Sequence, residues 1–157
     1  MPSAERTVTI NRPVEEVFAF LADGRKATHW RSGVLDVDLV SGDGLGARYS
    51  QGVKGPGGRR IPADYEITEF EPNRKIAFRA TAGPVRPEGS FTFEGMGTGT
   101  ILTFELNAEL SGWKRLVMGG AVQSTMDAEM RALDRLKELL ERSSGAPQWQ
   151  VPLPLSE

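Results

Sequence analysis

His29 is the only histidine in this chain of 157 residues, so it is the only side chain whose ordinary pKa suits proton transfer near neutrality. It sits beside Trp30 and Arg31, where it could act on a ligand carbonyl. Local spacing fixes no carboxylate to orient its ring, which favours a surface histidine at a helix end. Asp64, Glu66, Glu69 and Glu71 crowd one strand-like segment, and paired carboxylates serve hydrolysis or proton transfer. Parity opposes that use: if Tyr65 and Ile67 face the core, Asp64 and Glu66 face water. His29 and Tyr65 are the catalytic candidates, with no assembled set around them. One histidine and no cysteine provide no donor set for a metal, and no cofactor is implied. The glycine-rich run at 54–60 lacks the Gly-Lys-Ser/Thr ending of a phosphate loop and feeds no helix, so it reads as a hairpin tip.

Binding is the chemistry the residues serve better. A long segment from Gly112 to about Arg142 carries Leu116, Val122, Met126, Met130, Leu133, Leu136 and Leu140, spaced mostly by three or four, which makes one apolar stripe down a helix of roughly eight turns. Its first part is soft. Met118, Gly119, Gly120 and Ala121 stand where a tightly packed helix would carry Leu or Ile, leaving room beneath.

The elements before that helix read as a sheet. A strand at 6–10 meets Asn11-Arg12-Pro13, with Asn11 available to cap and Pro13 suited to a helix start. Val14, Val17, Phe18 and Leu21 then predict a two-turn helix, and a second short helical piece covers 25–30. Leu35, Val37 and Leu39 alternate with Asp36 and Asp38, the period of a half-buried strand. Further strands are expected at 47–54, 61–71, 75–82, 86–94 and 100–109, separated by Gly- and Pro-rich turns that favour antiparallel hairpins. The order is one strand, two short helices, six strands and a long helix. No parallel crossover unit is present, which excludes Rossmann-type nucleotide folds.

Strand parity points Leu35, Val37, Tyr49, Gln51, Tyr65, Ile67, Ile76, Phe78, Phe91, Phe93, Leu102, Phe104 and Leu106 inward. The expected ligand-binding residues among them, and on the helices, are Trp30, Tyr49, Gln51, Tyr65, Phe78, Phe91, Trp113, Val117, Met118, Ala121, Val122 and Met126. Tyr49, Gln51 and Tyr65 are the polar handles that would orient a ligand in a mostly apolar pocket.

Nineteen basic against 21 acidic side chains give a net charge of −2, with no basic run, so nucleic acid is not an expected partner. The absence of cysteine fits a reducing compartment. No apolar run reaches the roughly 20 residues that span a bilayer, and residues 1–7 lack a signal-peptide core. The expectation is a soluble cytoplasmic protein with one domain at 1–142 and a Pro-containing tail at 143–157. In that tail Trp149, Val151, Leu153 and Leu155 alternate, a face that would suit a groove of this or a neighbouring subunit, so a homodimer is one assembly the sequence allows.

The segment from Val8 to Asp23, with Asn11-Arg12-Pro13 and Val17-Phe18-Ala19-Phe20-Leu21 at its centre, resembles the opening of the polyketide cyclase/dehydrase and lipid-transport family, of the START-like, helix-grip superfamily (SRPBCC). Trp30 followed by Gly33-Val34, the run Tyr65-Glu66-Ile67-Thr68-Glu69-Phe70-Glu71-Pro72, and Gly97-Thr98-Gly99-Thr100-Ile101-Leu102-Thr103-Phe104 resemble its later elements, so the likeness spans about 6–142. The resemblance implies an α+β helix-grip fold, a seven-stranded antiparallel sheet around a C-terminal helix with a pocket between them. It implies binding or transport of a small hydrophobic ligand such as a lipid, isoprenoid or aromatic polyketide. A cyclase or dehydratase enzyme is the alternative, and a co-chaperone-like interaction module is the third.

Filling the soft part of the helix should separate cavity from core. Gly120→Leu is expected to block uptake of a small apolar ligand while changing the melting temperature little, because it fills space rather than removing packing; unchanged ligand binding would exclude a pocket at that end of the helix.

Overall fold

A computed structural model describes residues 3–83, 85–108 and 112–142, without the side chains of residues 56 and 112–121. Strand β1 (Ser3–Ile10) leads into helix α1 (Val14–Ala22) and a short 3-10 helix, Gly24–His29. Seven strands follow: β2 (Val34–Ser41), β3 (Arg48–Lys54), β4 (Arg60–Pro62), β5 (Tyr65–Glu71), β6 (Lys75–Ala80), β7 (Glu88–Met96) and β8 (Gly99–Asn107). Helix α2 (Gly112–Arg142) ends the described chain. The strands form one sheet in the order β1-β8-β7-β6-β5-β3-β2, with β4 paired to β3 beside this path. Every pairing is antiparallel. The expected seven-stranded sheet is this continuous path, and β4 is an eighth, short strand.

The extra strand comes from a break in the segment expected to run unbroken over 61–71. Pro62 has no N–H to donate, and the chain leaves the ladder at Ala63 and Asp64. Gln51 of β3 fills the gap. Its backbone N–H donates to Asp64 Oδ1 at 3.1 Å and its side-chain amide donates to the Ala63 carbonyl at 3.2 Å. Asp64 thus substitutes for a missing ladder acceptor, a structural use that removes it from any carboxylate pair.

Two register shifts correct the parity argument. Pairing of β2 with β3 slips between Val34 and Asp36 and again between Leu39 and Ser41. Val34 is therefore buried while Leu35, expected to face inward, and Leu39, expected to alternate with the aspartates in a half-buried strand, are 45% and 39% exposed. A bulge consumes one residue without a partner and turns the following side chains to the opposite face. In β5 a shift between Ile67 and Glu69 likewise brings Phe70 toward the core, where its ring meets Phe18 edge-on at 5.3 Å.

Pro13 occupies the N-cap of helix α1, with no side-chain cap; Asn11 does not fill the capping role. Its backbone N–H donates to Glu141 Oε2 at 2.7 Å, and Thr100 Oγ1 donates to the Arg12 carbonyl at 2.8 Å, so the entry to α1 is held by β8 and α2. Glu15 and Glu16 in the first turn complement the positive end of the helix. Phe18 closes this end of the core by packing against Phe93, 5.1 Å away.

Helix α2 lies against β1. Arg6 donates to the Met130 carbonyl at 3.1 Å and to Asp134 at 2.5 Å, and Lys137 donates to the Thr9 carbonyl at 2.6 Å. Met126, Met130, Leu133, Leu136 and Leu140 are buried, as the stripe predicts, with Ile10, Leu102 and Phe104 in the same core. Among the described residues no helix is long and apolar enough to cross a membrane. The expected tail at 143–157, including Trp149 and its alternating neighbours, lies outside the described residues.

Leu133 is fully buried, whereas Val40 is 65% exposed. Leu133→Ala should lower unfolding stability by about 3 kcal/mol, or about 10 °C in melting temperature, and Val40→Ala by less than about 0.5 kcal/mol. Equal effects in chemical denaturation would show that the helix stripe does not carry the core.

Candidate functional site

Because α2 leans on β1, the opposite half of the sheet's inner face is not filled by the helix. A cavity of about 530 Å³ occupies the space, between β3, β5, β6, β7 and β8 on one side and α2 on the other, with the end of α1 and the 3-10 helix at its margin. Each of these five strands contributes an aromatic ring. Tyr49 and Tyr65 stack at 4.9 Å, Tyr65 meets Phe78 edge-on at 5.9 Å, Phe78 lies 6.1 Å from Phe91, and Phe91 stacks on Phe104 at 4.4 Å. Trp30 covers the last two rings edge-on, at 6.3 and 6.5 Å. The result is a continuous aromatic wall whose rings support one another by offset and edge contacts.

Two glycines make the wall sterically feasible. A Cβ on Gly89 would stand 2.5 Å from Phe78 Cζ, so only a bare backbone leaves that ring its place. A Cβ on Gly24 would fall 2.2 Å from the Tyr65 hydroxyl and 2.9 Å from the Tyr49 ring. Gly24 therefore lets the 3-10 helix settle on the tyrosine pair, and its N–H donates to Tyr49 Oη at 3.3 Å.

Polar groups gather in the same cavity. Arg31 Nε donates to Glu129 Oε2 of α2 at 2.5 Å, with side chains only 20% and 14% exposed. Arg31 Nη1 also reaches Gln51 Oε1 at 3.4 Å. The Tyr65 hydroxyl has no hydrogen-bond partner among the described residues, and burial holds its pKa well above the ordinary tyrosine range, with Arg31 pulling the other way. It is a protonated donor at any physiological pH.

Of the residues expected at the site, Trp30, Tyr49, Gln51, Tyr65, Phe78, Phe91, Val122 and Met126 line the cavity. Trp113, Val117, Met118 and Ala121 fall on α2, but their side chains, like those of Leu116, lie outside the described residues. His29, expected as a catalytic candidate beside Trp30, is exposed and is not part of the lining; Arg135 donates to its carbonyl at 3.5 Å. The turn from the 3-10 helix into Trp30 buries the indole and leaves the preceding imidazole outside. Glu66 pairs with Arg79 at 2.6 Å and Glu69 with Lys75 at 3.2 Å, so these two strand carboxylates serve cross-strand ion pairs. Among the described residues no group of three or more His, Cys, Asp or Glu side chains could hold a metal ion.

Sequence reasoning missed Arg31 and Glu129 as cavity residues. A signal for Glu129 existed: it falls three positions after Met126 and one before Met130, at the border of an otherwise apolar stripe. Nothing local identified its partner.

The family model described as polyketide cyclase / dehydrase and lipid transport matches residues 1–141. No curated protein matches the sequence. Among solved structures, a Thermus thermophilus protein superposes with a TM-score of 0.76 at 21% identity, covering 92% of this chain and 100% of its own. The Zhui aromatase/cyclase of a Streptomyces species gives 0.69 at 18% identity, covering 93% and 97%. A START superfamily protein from Mycobacterium smegmatis gives 0.68 at 16% identity, covering 88% and 98%. At these identities the likeness is one of fold, and the fold is that of START-like helix-grip proteins.

The buried Tyr65 hydroxyl predicts a pH effect with a defined sign. Unfolded tyrosine ionises near pH 10, while folded Tyr65 holds its proton to higher pH, so above about pH 10 the unfolded state binds fewer protons and stability falls as pH rises. Below that pH its contribution is fully present. Tyr65→Phe should leave stability at neutral pH unchanged or slightly raised, since no partner is orphaned, and should flatten the alkaline decline in urea unfolding. An equally steep decline in the variant would assign the effect to another group.

Proposed function

The chain belongs to the polyketide cyclase/dehydrase and lipid transport family, and from that premise we propose that it binds or carries a small hydrophobic molecule in the cavity between sheet and helix. The observation that carries this reading is the cavity itself: about 530 Å³, inside the range of roughly 300–1,000 Å³ typical of small-molecule sites, walled by rings and crossed by few polar groups. Burial of apolar ligand surface supplies the affinity, at roughly 25 cal/mol per Å² removed from water. Tyr49, Gln51, Tyr65 and Arg31 supply orientation. A lipid, an isoprenoid or an aromatic polyketide fits this description.

The second reading is a cyclase or dehydratase, favoured by the protonated Tyr65 hydroxyl, which lies near Arg31 and has no hydrogen-bond partner among the described residues. Tyr65 could donate a hydrogen bond or a proton to a ligand carbonyl. What argues for carriage over turnover is the lack of a matching base among the described residues of the lining, because His29 stands outside it and Glu129 is engaged by Arg31. An interaction module would draw on the tail at 148–157, which is outside the described residues.

Native mass spectrometry of freshly purified protein tests the binding reading. A discrete small mass should travel with the wild type, leave on denaturation, and be lost from Val122→Trp, which fills the cavity from α2, with a melting temperature within a few degrees of wild type. Retention of the same mass by the folded Val122→Trp variant would place the ligand elsewhere.

A further inference from the structure

Arg31 and Glu129 bring opposite charges into a cavity that is otherwise mainly apolar and aromatic. They lie 2.5 Å apart and are largely withdrawn from water, so each neutralises the other where screening is weak. The remaining acid in the lining, Asp23, is held by Arg25 at 2.9 and 3.1 Å. Lys54 is exposed, where water and salt screen it.

What this part of the cavity retains is donor capacity. A guanidinium has five N–H groups; Arg31 Nε is spent on Glu129, Nη1 reaches Gln51 only at 3.4 Å, and Nη2 has no partner among the described residues. The Tyr65 hydroxyl is also unpartnered among them, and Arg31 is close enough to act on it electrostatically. Tyr49 accepts from Gly24 and keeps its own proton to give. The cluster offers several donors and, among the described residues, no unpaired charge.

We propose that this cluster selects a neutral oxygen acceptor, a ketone or similar carbonyl on a planar ring body, and discriminates against carboxylates. The inference rests on the binding reading above and specifies its ligand class. A carboxylate would have to displace Glu129 from Arg31 or sit beside it as a second anion in a poorly screened site, and both are unfavourable. A carbonyl takes the free donors and leaves the ion pair intact. The planar body follows from the aromatic wall, against which a flat ring system stacks.

Three naphthalenes of nearly equal bulk test this by calorimetry at neutral pH: 2-acetylnaphthalene, 2-ethylnaphthalene and 2-naphthoate. The ketone should bind about tenfold more tightly than the ethyl compound, the worth of a hydrogen bond from a charged donor, and naphthoate should bind more weakly than either. Glu129→Gln, which frees the charge of Arg31, should tighten naphthoate about tenfold and leave the ethyl compound unchanged. Naphthoate binding wild type as tightly as the ketone, or an unaltered ranking in folded Glu129→Gln, would overturn the proposal while leaving cavity binding in place. Failure of all three to bind wild type would overturn the binding reading and this inference with it. Should Glu129→Gln not fold, the wild-type ranking decides alone.

Discussion

The seating of α2 along β1 is the constraint from which the rest of the structure follows. Backbone carbonyls and N–H groups at Thr9, Asn11 and Met130 are all engaged by side chains across this seam, and Leu133, Leu136 and Leu140 of the helix stripe are buried beneath it. A seven-stranded path is too wide for one helix to cover. Pinning the helix to one edge strand therefore leaves the strands toward the other edge facing a void. The cavity is the geometric remainder of a helix held on one side.

A void of this kind persists only if its walls do not collapse into it. Stacked and edge-on rings on five consecutive strands of the path brace the sheet side, since each ring rests on the next and none is free to swing inward without losing a neighbour. The bare backbones of Gly24 and Gly89 provide the clearance the rings need. The Arg31–Glu129 pair ties the turn after the 3-10 helix to α2. A pair this far from water is weak evidence for added stability, because desolvation offsets most of its attraction. Its evident effect is to hold a polar cluster at a fixed place in an apolar space.

Much of this was legible in the residues. Turn chemistry marked nearly every strand end, the three-and-four spacing marked α2, and simple parity brought Tyr49, Gln51, Tyr65, Phe78 and Phe91 to one face. Parity failed where pairing is irregular. Leu35 and Leu39 turned outward at the shifts in β2, and the break at Ala63 and Asp64 divided one expected strand into two. A bulge depends on the partner strand's register, and a single strand's alternation carries no record of its partner.

By itself the sequence determined the order of elements, the antiparallel connections and the apolar faces, because these depend on contacts a few residues apart. It also carried the family likeness, through turn and core residues. Long-range packing is what keeps His29 outside while Trp30 goes in, and what brings Arg31 to Glu129. Those two residues are 98 positions apart, and no periodicity links them; they meet because the 3-10 helix rests on Tyr49 and Tyr65 from one side while α2 is held along β1 from the other. Packing at long range, with its own steric and electrostatic demands, placed the only charged pair within the cavity lining among the described residues.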